Sequence, residues 1–93
     1  MGRNGHAPEP EWEINFRDHF FFFPEKSKAD MAAERLLKKG WRVQVSRTAG
    51  RDDWSVTATD PMPNEEEFEA QYQELKSLAE ELGGEYDGYG GPG

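Results

Sequence analysis

The sequence predicts an α+β protein, a ferredoxin-like βαββαβ sandwich in which two helices cover one face of a four-stranded antiparallel sheet. Two segments place apolar residues at helical spacing, and four short runs are rich in aromatic or alternating apolar residues. These segments follow one another as strand, helix, strand, strand, helix, strand. Because such crossovers are right-handed, the first and third strands are predicted to be central, with the fourth beside the first and the second beside the third.

The first strand is predicted over residues 14–23 and ends at Pro24, which cannot donate to a ladder. Residues 20–23 are all phenylalanine, so apolar side chains point to both faces, as in a central strand. One face is richer in apolar side chains and is expected to meet the helices: Phe16, Phe20 and Phe22. The open face of the sheet is expected to carry the other set: His19, Phe21 and Phe23.

The first helix is predicted to follow Pro24, with Ser27 as its N-cap and Gly40 just after its end. Its apolar residues recur at i, i+3, i+4 and i+7: Ala29, Ala32, Ala33 and Leu36. Leu37 widens this face. Small side chains at three positions predict a close approach of the helix to the sheet.

The second and third strands are predicted over residues 41–48 and 53–59, joined by a hairpin connection at 49–52. Apolar residues alternate with polar ones in both strands. The inward set is predicted to be Trp41, Val43, Val45, Trp54, Val56 and Ala58.

The second helix is predicted to start at the N-cap Asn64 and to end at Gly83 and Gly84. Its apolar stripe comprises Phe68, Tyr72, Leu75, Leu78, Ala79 and Leu82. The short aromatic run 85–89 is predicted to be the last strand, and Gly88 indicates a bulge or a close backbone approach.

One domain is expected over residues 12–90, with a disordered lead-in at 1–11 and a flexible end at 91–93. The lead-in has no apolar segment of the kind that a signal peptide requires. There is no cysteine, which suits a reducing compartment. We therefore expect a cytoplasmic protein without a membrane partner.

The net charge of −8 is concentrated in the last third of the chain. Residues 1–60 hold ten basic and ten acidic side chains, whereas residues 61–93 hold nine acidic side chains and Lys76. Such a field attracts basic partners and repels nucleic acid. A solvated helix face that only aids solubility explains the same pattern.

Few residues are suited to catalysis or to metal binding. The histidines are His6 and His19 alone, no cysteine is present, and no serine lies in a nucleophile motif. We therefore expect no enzyme activity, metal or cofactor. Aromatic side chains on the open face are compatible with a protein contact, with self-association into a homo-oligomer, with covering by local structure, or with an RNA-binding module.

The run from Leu82 to Gly90, which reads Leu-Gly-Gly-Glu-Tyr-Asp-Gly-Tyr-Gly, resembles the signature of the ribonuclease E inhibitor family, also called regulator of ribonuclease activity B. Residues 18–24 and 37–43 resemble the first strand and the helix-to-strand passage of that family. Tyr89 stands where the family commonly has tryptophan. The resemblance implies a ferredoxin-like, non-catalytic protein that binds a basic, RNA-binding part of a ribonuclease E-type endoribonuclease and inhibits it.

On this hypothesis, carboxylates of the last third attract the partner and two tyrosines anchor it. The predicted partner-binding residues are Glu66, Glu69, Glu74, Glu80, Glu81, Glu85, Tyr86, Asp87 and Tyr89. The alternatives are an interaction module with an unrelated partner and an RNA-binding module that uses His19, Phe21 and Phe23.

Overall fold

The computed structural model of the protein describes residues 16–90, which form four strands, two α-helices and one 3-10 turn. The expected lead-in at 1–11, the first residues of the predicted first strand and the expected flexible end at 91–93 lie outside the described residues. The strands are β1 Arg17–Phe23, β2 Arg42–Arg47, β3 Trp54–Asp60 and β4 Glu85–Gly90. The helices are α1 Lys26–Leu37 and α2 Phe68–Glu81, and the 3-10 turn Glu65–Glu67 leads into α2.

The four strands form one antiparallel sheet in the order β2-β3-β1-β4. This is the predicted order, with β1 and β3 central, and the α+β class is confirmed. The β1–β3 and β2–β3 ladders run without a shift in register. The ladder between β1 and β4, in contrast, contains one shift in register. The sheet is therefore regular around β3 and irregular where β4 joins β1.

The hydrophobic core lies between one face of the sheet and both helices, and its buried residues form one cluster. The predicted faces of the helices are confirmed: Ala29, Ala32, Ala33 and Leu36 of α1 are buried, as are Leu75, Leu78 and Ala79 of α2. From β3, Val56 and Ala58 complete the floor of the core. Leu37, expected to widen the face of α1, is instead 55% exposed.

The prediction for the two faces of β1 was wrong. His19, Phe21 and Phe23, expected on the open face, are buried against the helices, with His19 only 1% exposed. Phe20, expected in the core, lies on the open face and is 36% exposed. Phe22, also expected in the core, is half-buried and shares the open face with Phe20. The RNA-binding and self-association alternatives thus lose His19, Phe21 and Phe23, the residues that they named.

Register explains this inversion. Residues directly paired across antiparallel strands point to the same face of the sheet. His19 pairs with Ala58, and Phe21 pairs with Val56. Because the inward residues of β3 alternate unambiguously, they carry their β1 partners into the core. In β1, phenylalanine lies on both faces, so the strand lacks the apolar–polar alternation from which its inward face could be predicted.

The helix ends show one confirmed cap and one that differs from expectation. Asn64 accepts a hydrogen bond from the backbone N–H of Glu66 at 2.9 Å, as its N-cap role predicts. Helix α1 starts at Lys26, after Glu25, so Ser27 lies in the first turn and is not the cap. The N–H of Ala29 reaches the Glu25 carbonyl at 3.1 Å.

Gly83 and Gly84 end α2 in a Schellman motif and allow β1 to approach closely. Gly83 has a φ of 75°, and the Gly84 N–H donates to the Ala79 carbonyl at 2.8 Å. A Cβ on Gly84 would lie 2.5 Å from the Phe22 carbonyl oxygen and closer still to the Phe23 ring. Glycine at position 84 therefore allows the turn after α2 to rest directly on β1.

The substitution Gly84→Ala is expected to lower the free energy of unfolding by about 3 kcal/mol, because neither the backbone oxygen nor the buried ring can move away. Gly50→Ala is the matched control. Gly50 also has a positive φ, of 73°, but open space around it, so only backbone strain of about 1 kcal/mol is expected. Urea unfolding followed by circular dichroism measures both, and equal losses would contradict the predicted clash.

Candidate functional site

A β-bulge in β4 brings two tyrosines onto the same face of the sheet. The β1–β4 ladder shifts between Phe20, which pairs with Gly88, and Phe21, which pairs with Tyr86. Asp87 is thus the extra residue, and Gly88 adopts a φ of 120°, as the predicted bulge requires. Tyr86 and Tyr89 are three residues apart and would point to opposite faces of a regular strand. Across the bulge, both face the helices.

The two tyrosines join a cluster of aromatic rings between β1, β4 and the first turns of α2. The Tyr86 ring lies 5.1 Å from Phe21 and 5.4 Å from Tyr72, and the Tyr89 ring lies 5.0 Å from Phe68, edge to face. Each such pair contributes about 0.5–1.5 kcal/mol beyond the area that it buries. The cluster therefore holds the beginning of α2 against the edge strand.

His19 is the buried polar group of this cluster. Its Nδ1 lies 2.8 Å from the Tyr86 hydroxyl, and its ring stacks on Trp41 at 5.2 Å with an interplanar angle of 12°. Burial, and secondarily the charge of Arg17, lower the pKa of His19 to about 4. Burial likewise raises the pKa of Tyr86 to about 12. Both rings are thus neutral at physiological pH, and their hydrogen bond links β1 to β4 inside the fold.

Arg17 covers the solvent side of the cluster. Its guanidinium carbon lies 4.8 Å from the centre of the Phe68 ring and 5.6 Å from that of Tyr89, within range of a cation–π contact. The same guanidinium forms an ion pair with Glu65. These neighbours fix the position of the Tyr89 ring. Tyr89 nevertheless remains 51% exposed, so half of its surface faces solvent.

Two of the predicted partner-binding carboxylates are engaged within the fold. Glu74 forms an ion pair with Lys39 of the α1–β2 connection at 3.0 Å, and Glu81 forms one with Arg35 of α1 at 2.8 Å. They are seven residues apart, so both lie on the flank of α2 that faces α1. The hydrogen bond and the charge of Arg35 lower the pKa of Glu81. These carboxylates link the two helices.

The other five carboxylates are exposed, and within residues 16–90 none of them forms an ion pair. Glu69 and Glu80, eleven residues apart, lie on the flank of α2 opposite to α1, which is the side of the edge strand β4. We call the set the outer acidic surface: Glu66, Glu69, Glu80, Glu85 and Asp87. It combines an outward stripe of α2 with the rim of the sheet.

The structure divides the predicted site into three parts. The outer acidic surface and Tyr89 are open to solvent, Glu74 and Glu81 are paired, and Tyr86 has its hydroxyl on His19. Sequence reasoning did not identify Arg17 as a neighbour of Tyr89, or Trp41 as the ring that stacks on His19. The usable signal was Gly88, because a bulge there moves Tyr89 to the face that carries Tyr86.

Other kinds of site find little support in the part of the chain that the structure describes. Among residues 16–90, no group of three or more histidine, aspartate or glutamate side chains is placed to hold a metal ion. No helix in that range is long and apolar enough to cross a membrane.

Comparison with known proteins decides the family. The sequence pattern of the protein family described as Regulator of ribonuclease activity B matches residues 1–91. The chain belongs to the regulator of ribonuclease activity B family. A comparison with curated proteins finds none that matches.

Membership of the regulator of ribonuclease activity B family implies a protein partner, because a ribonuclease is itself a protein. The stretch that resembles the family signature now has a structural role. Gly84 leaves room for the Phe23 ring, the Tyr86 hydroxyl is hydrogen-bonded to His19, and Gly88 lies at the bulge. This stretch closes the fold, and Tyr89 is its solvent-exposed aromatic residue.

The buried His19 is expected to make the protein less stable in acid. Its folded-state pKa of about 4 lies below the ordinary value of 6.5, so the unfolded chain takes up the proton first. The contribution of His19 is fully present above pH 6.5 and is lost as the pH falls through 4, up to about 3 kcal/mol. Chemical unfolding at pH values between 7 and 4 measures this loss.

His19→Phe is the control for that measurement, since it keeps a ring on Trp41 but has no group to titrate. The carboxylates contribute equally to both proteins. The variant should therefore lose less stability than the parent between pH 6.5 and pH 4. Parallel pH profiles would show that His19 does not carry the effect.

Proposed function

We propose that this protein is a non-catalytic cytoplasmic regulator that binds a ribonuclease E-type endoribonuclease and lowers its activity. The observation that carries the proposal is the outer acidic surface, a group of exposed carboxylates on the 3-10 turn, α2 and β4 that form no ion pair within residues 16–90. Membership of a family of ribonuclease regulators supports the same function. The partner surface that fits this chemistry is a basic segment of the enzyme.

Electrostatics supply a route to inhibition. A ribonuclease must present lysine and arginine to the phosphates of its RNA substrate. A compact surface of carboxylates attracts the same side chains and accelerates association at low salt. Occupying that basic segment removes it from RNA, so activity falls without any reaction by the regulator itself.

Tyr89 is the proposed anchor of the contact. Half-exposed aromatic rings with low side-chain entropy are typical hot spots of protein interfaces. Tyr89 is held against Phe68 and Arg17, so little further ordering is needed when a partner covers it. Tyr86 is predicted to act through the fold, because its ring and its hydroxyl are already engaged.

Neutralising the outer acidic surface should weaken binding. The triple variant Glu66→Gln, Glu69→Gln, Glu80→Gln is expected to lower the affinity for the basic segment about tenfold at low salt, mainly through slower association. Surface plasmon resonance at two salt concentrations, against an immobilised ribonuclease E-type enzyme, measures both rates. The difference from the parent should shrink as salt rises, because exposed charges are screened.

The matched control neutralises the paired carboxylates, Glu74→Gln and Glu81→Gln. It removes two charges from the same helix but from the flank that faces α1. We expect a smaller loss of affinity and a lower thermal midpoint, since the links between the helices are lost. Losses of affinity in proportion to the charges removed, three in one variant and two in the other, would mean that total charge, and not the outer surface, governs binding.

Tyr89→Ala should lower the affinity about tenfold. It should also lower the free energy of unfolding by about 1–2 kcal/mol, because it removes the ring contacts with Phe68 and Arg17. Tyr86→Phe should leave the affinity unchanged and lower stability by about 1 kcal/mol through loss of the hydrogen bond to His19. Isothermal titration calorimetry with the enzyme, together with urea unfolding, tests both. Unchanged binding by the Tyr89 variant would remove the anchor from the proposal.

A further inference from the structure

One positive charge lies next to the proposed anchor for a basic partner. Arg17 is the first residue of β1, and its guanidinium carbon lies 5.6 Å from the centre of the Tyr89 ring. A fixed positive charge at this point should repel a basic segment. Charge alone would therefore favour an uncharged side chain at position 17, and the contacts of Arg17 point to a different role.

The Arg17 side chain connects the elements that surround Tyr89. Its guanidinium carbon lies 4.8 Å from the centre of the Phe68 ring at the start of α2, and it forms an ion pair with Glu65 of the 3-10 turn. Phe68 in turn meets Tyr89 edge to face at 5.0 Å. Because the guanidinium contacts both rings, its removal should leave the Tyr89 ring freer to move.

The surroundings of Arg17 suit a guanidinium better than another cation. Its side chain is only 13% exposed. In the part of the chain that the structure describes, its buried Nη1 has no hydrogen-bond partner. A guanidinium is weakly hydrated and stacks on aromatic rings, whereas the ammonium group of lysine is strongly hydrated. Lysine at position 17 would therefore support the Tyr89 ring less well.

Glu65 compensates the charge of Arg17 on the solvent side. It is the first of the three glutamates of the 3-10 turn, and its side chain is 75% exposed. Opposite charges in contact largely cancel for a charge that approaches from solvent. The pair can thus hold the ring without repelling a basic segment.

We propose that Arg17 is a positioning residue for the partner contact: it fixes the Tyr89 ring in the orientation that a basic segment meets, while Glu65 cancels its charge. This role rests on the proposed function and extends it from the residues that meet the partner to one that holds them in place. The competing explanation is that Arg17 occupies the place of a partner arginine and is displaced on binding. The two roles predict opposite effects of removing Arg17.

Arg17→Gln separates positioning from charge. The variant is more acidic by one charge, so attraction alone, like displacement of an internal occupant, predicts tighter binding. Positioning predicts about fivefold faster dissociation, which outweighs any gain in the association rate. Surface plasmon resonance against an immobilised ribonuclease E-type enzyme measures both rates. Lys28→Gln removes the same charge from the exposed start of α1 and should not speed dissociation.

Three further variants locate the effect. Arg17→Lys keeps the charge and should still dissociate about twofold faster than the parent. In a Tyr89→Ala background, Arg17→Gln should no longer change the dissociation rate, because a residue that acts through the ring has no effect once the ring is gone. Glu65→Gln uncovers the charge of Arg17, so it should slow association more than Glu67→Gln, which removes the same charge from the same turn.

The position of the ring can be followed in the free protein. The chain has three tyrosines, so ring-labelled tyrosine gives three sets of NMR signals, and Tyr89→Ala assigns one of them. The nuclear Overhauser effects between Phe68 and Tyr89 should weaken in Arg17→Gln. Should that variant lose its dispersed spectrum, Arg17→Lys provides the same test with a smaller change.

Tighter binding by Arg17→Gln would overturn the proposal and make Arg17 an internal occupant of the partner's place. Faster dissociation that persists in the Tyr89→Ala background would also overturn it, because Arg17 would then touch the partner directly. Unchanged Overhauser effects together with unchanged dissociation would leave Arg17 no positioning role. No binding by the parent would instead contradict the proposed function, and the free-protein spectra would still show whether Arg17 fixes the ring.

Discussion

The pairing of β1 with β4 across the bulge is the constraint on which the rest of this structure depends. It joins residues nearly seventy positions apart through the hydrogen bond between His19 and Tyr86. A regular ladder would turn one of the two tyrosines away from the helices and leave α2 without an aromatic floor. Because Asp87 is accommodated as an extra residue, Tyr86 and Tyr89 both support the first turns of α2. The outer flank of α2 is oriented by that support.

The carboxylates of the last third of the chain fall into two groups, one paired with basic side chains and the other exposed. Glu74 and Glu81 are spaced to meet basic side chains at the end of α1, and they tie the helices together. The outer acidic surface points the other way and keeps its charge available. On the proposed function, a single acidic helix stabilises its own fold on one flank and attracts a partner on the other.

Much of this fold could be predicted from the sequence because its elements carry local signals. The alanine-rich stripe of α1, the alternation of β2 and β3, and the cap at Asn64 each follow from side-chain chemistry within a few residues. Which side of β1 faces the core could not be predicted from that strand alone, because phenylalanine occurs at both odd and even positions. Pairing with Val56 and Ala58 decided it, and that register is a property of two strands together.

The candidate site was predicted less completely for a related reason. Counting charges indicated where carboxylates concentrate but not which of them meet Lys39 or Arg35. Those partners come from another helix and from its connection, so only the packing of α1 against α2 reveals them. Tyr86 and Tyr89 were predicted together as anchors of the partner, whereas the difference in exposure between the two tyrosines depends on the bulge.

The bulge has a further consequence for how copies of this protein coexist. One rim of the sheet is acidic at Glu85 and Asp87, and the other is basic at Arg42 and Arg47. Two complementary rims on one molecule invite head-to-tail stacking, in which every copy adds a strand to the next and a filament grows without closing. The kink at Asp87 and the positive φ of Gly88 break the straight line of donors and acceptors on the acidic rim. The irregularity that positions two tyrosines is therefore also expected to disfavour the addition of a strand at the acidic rim.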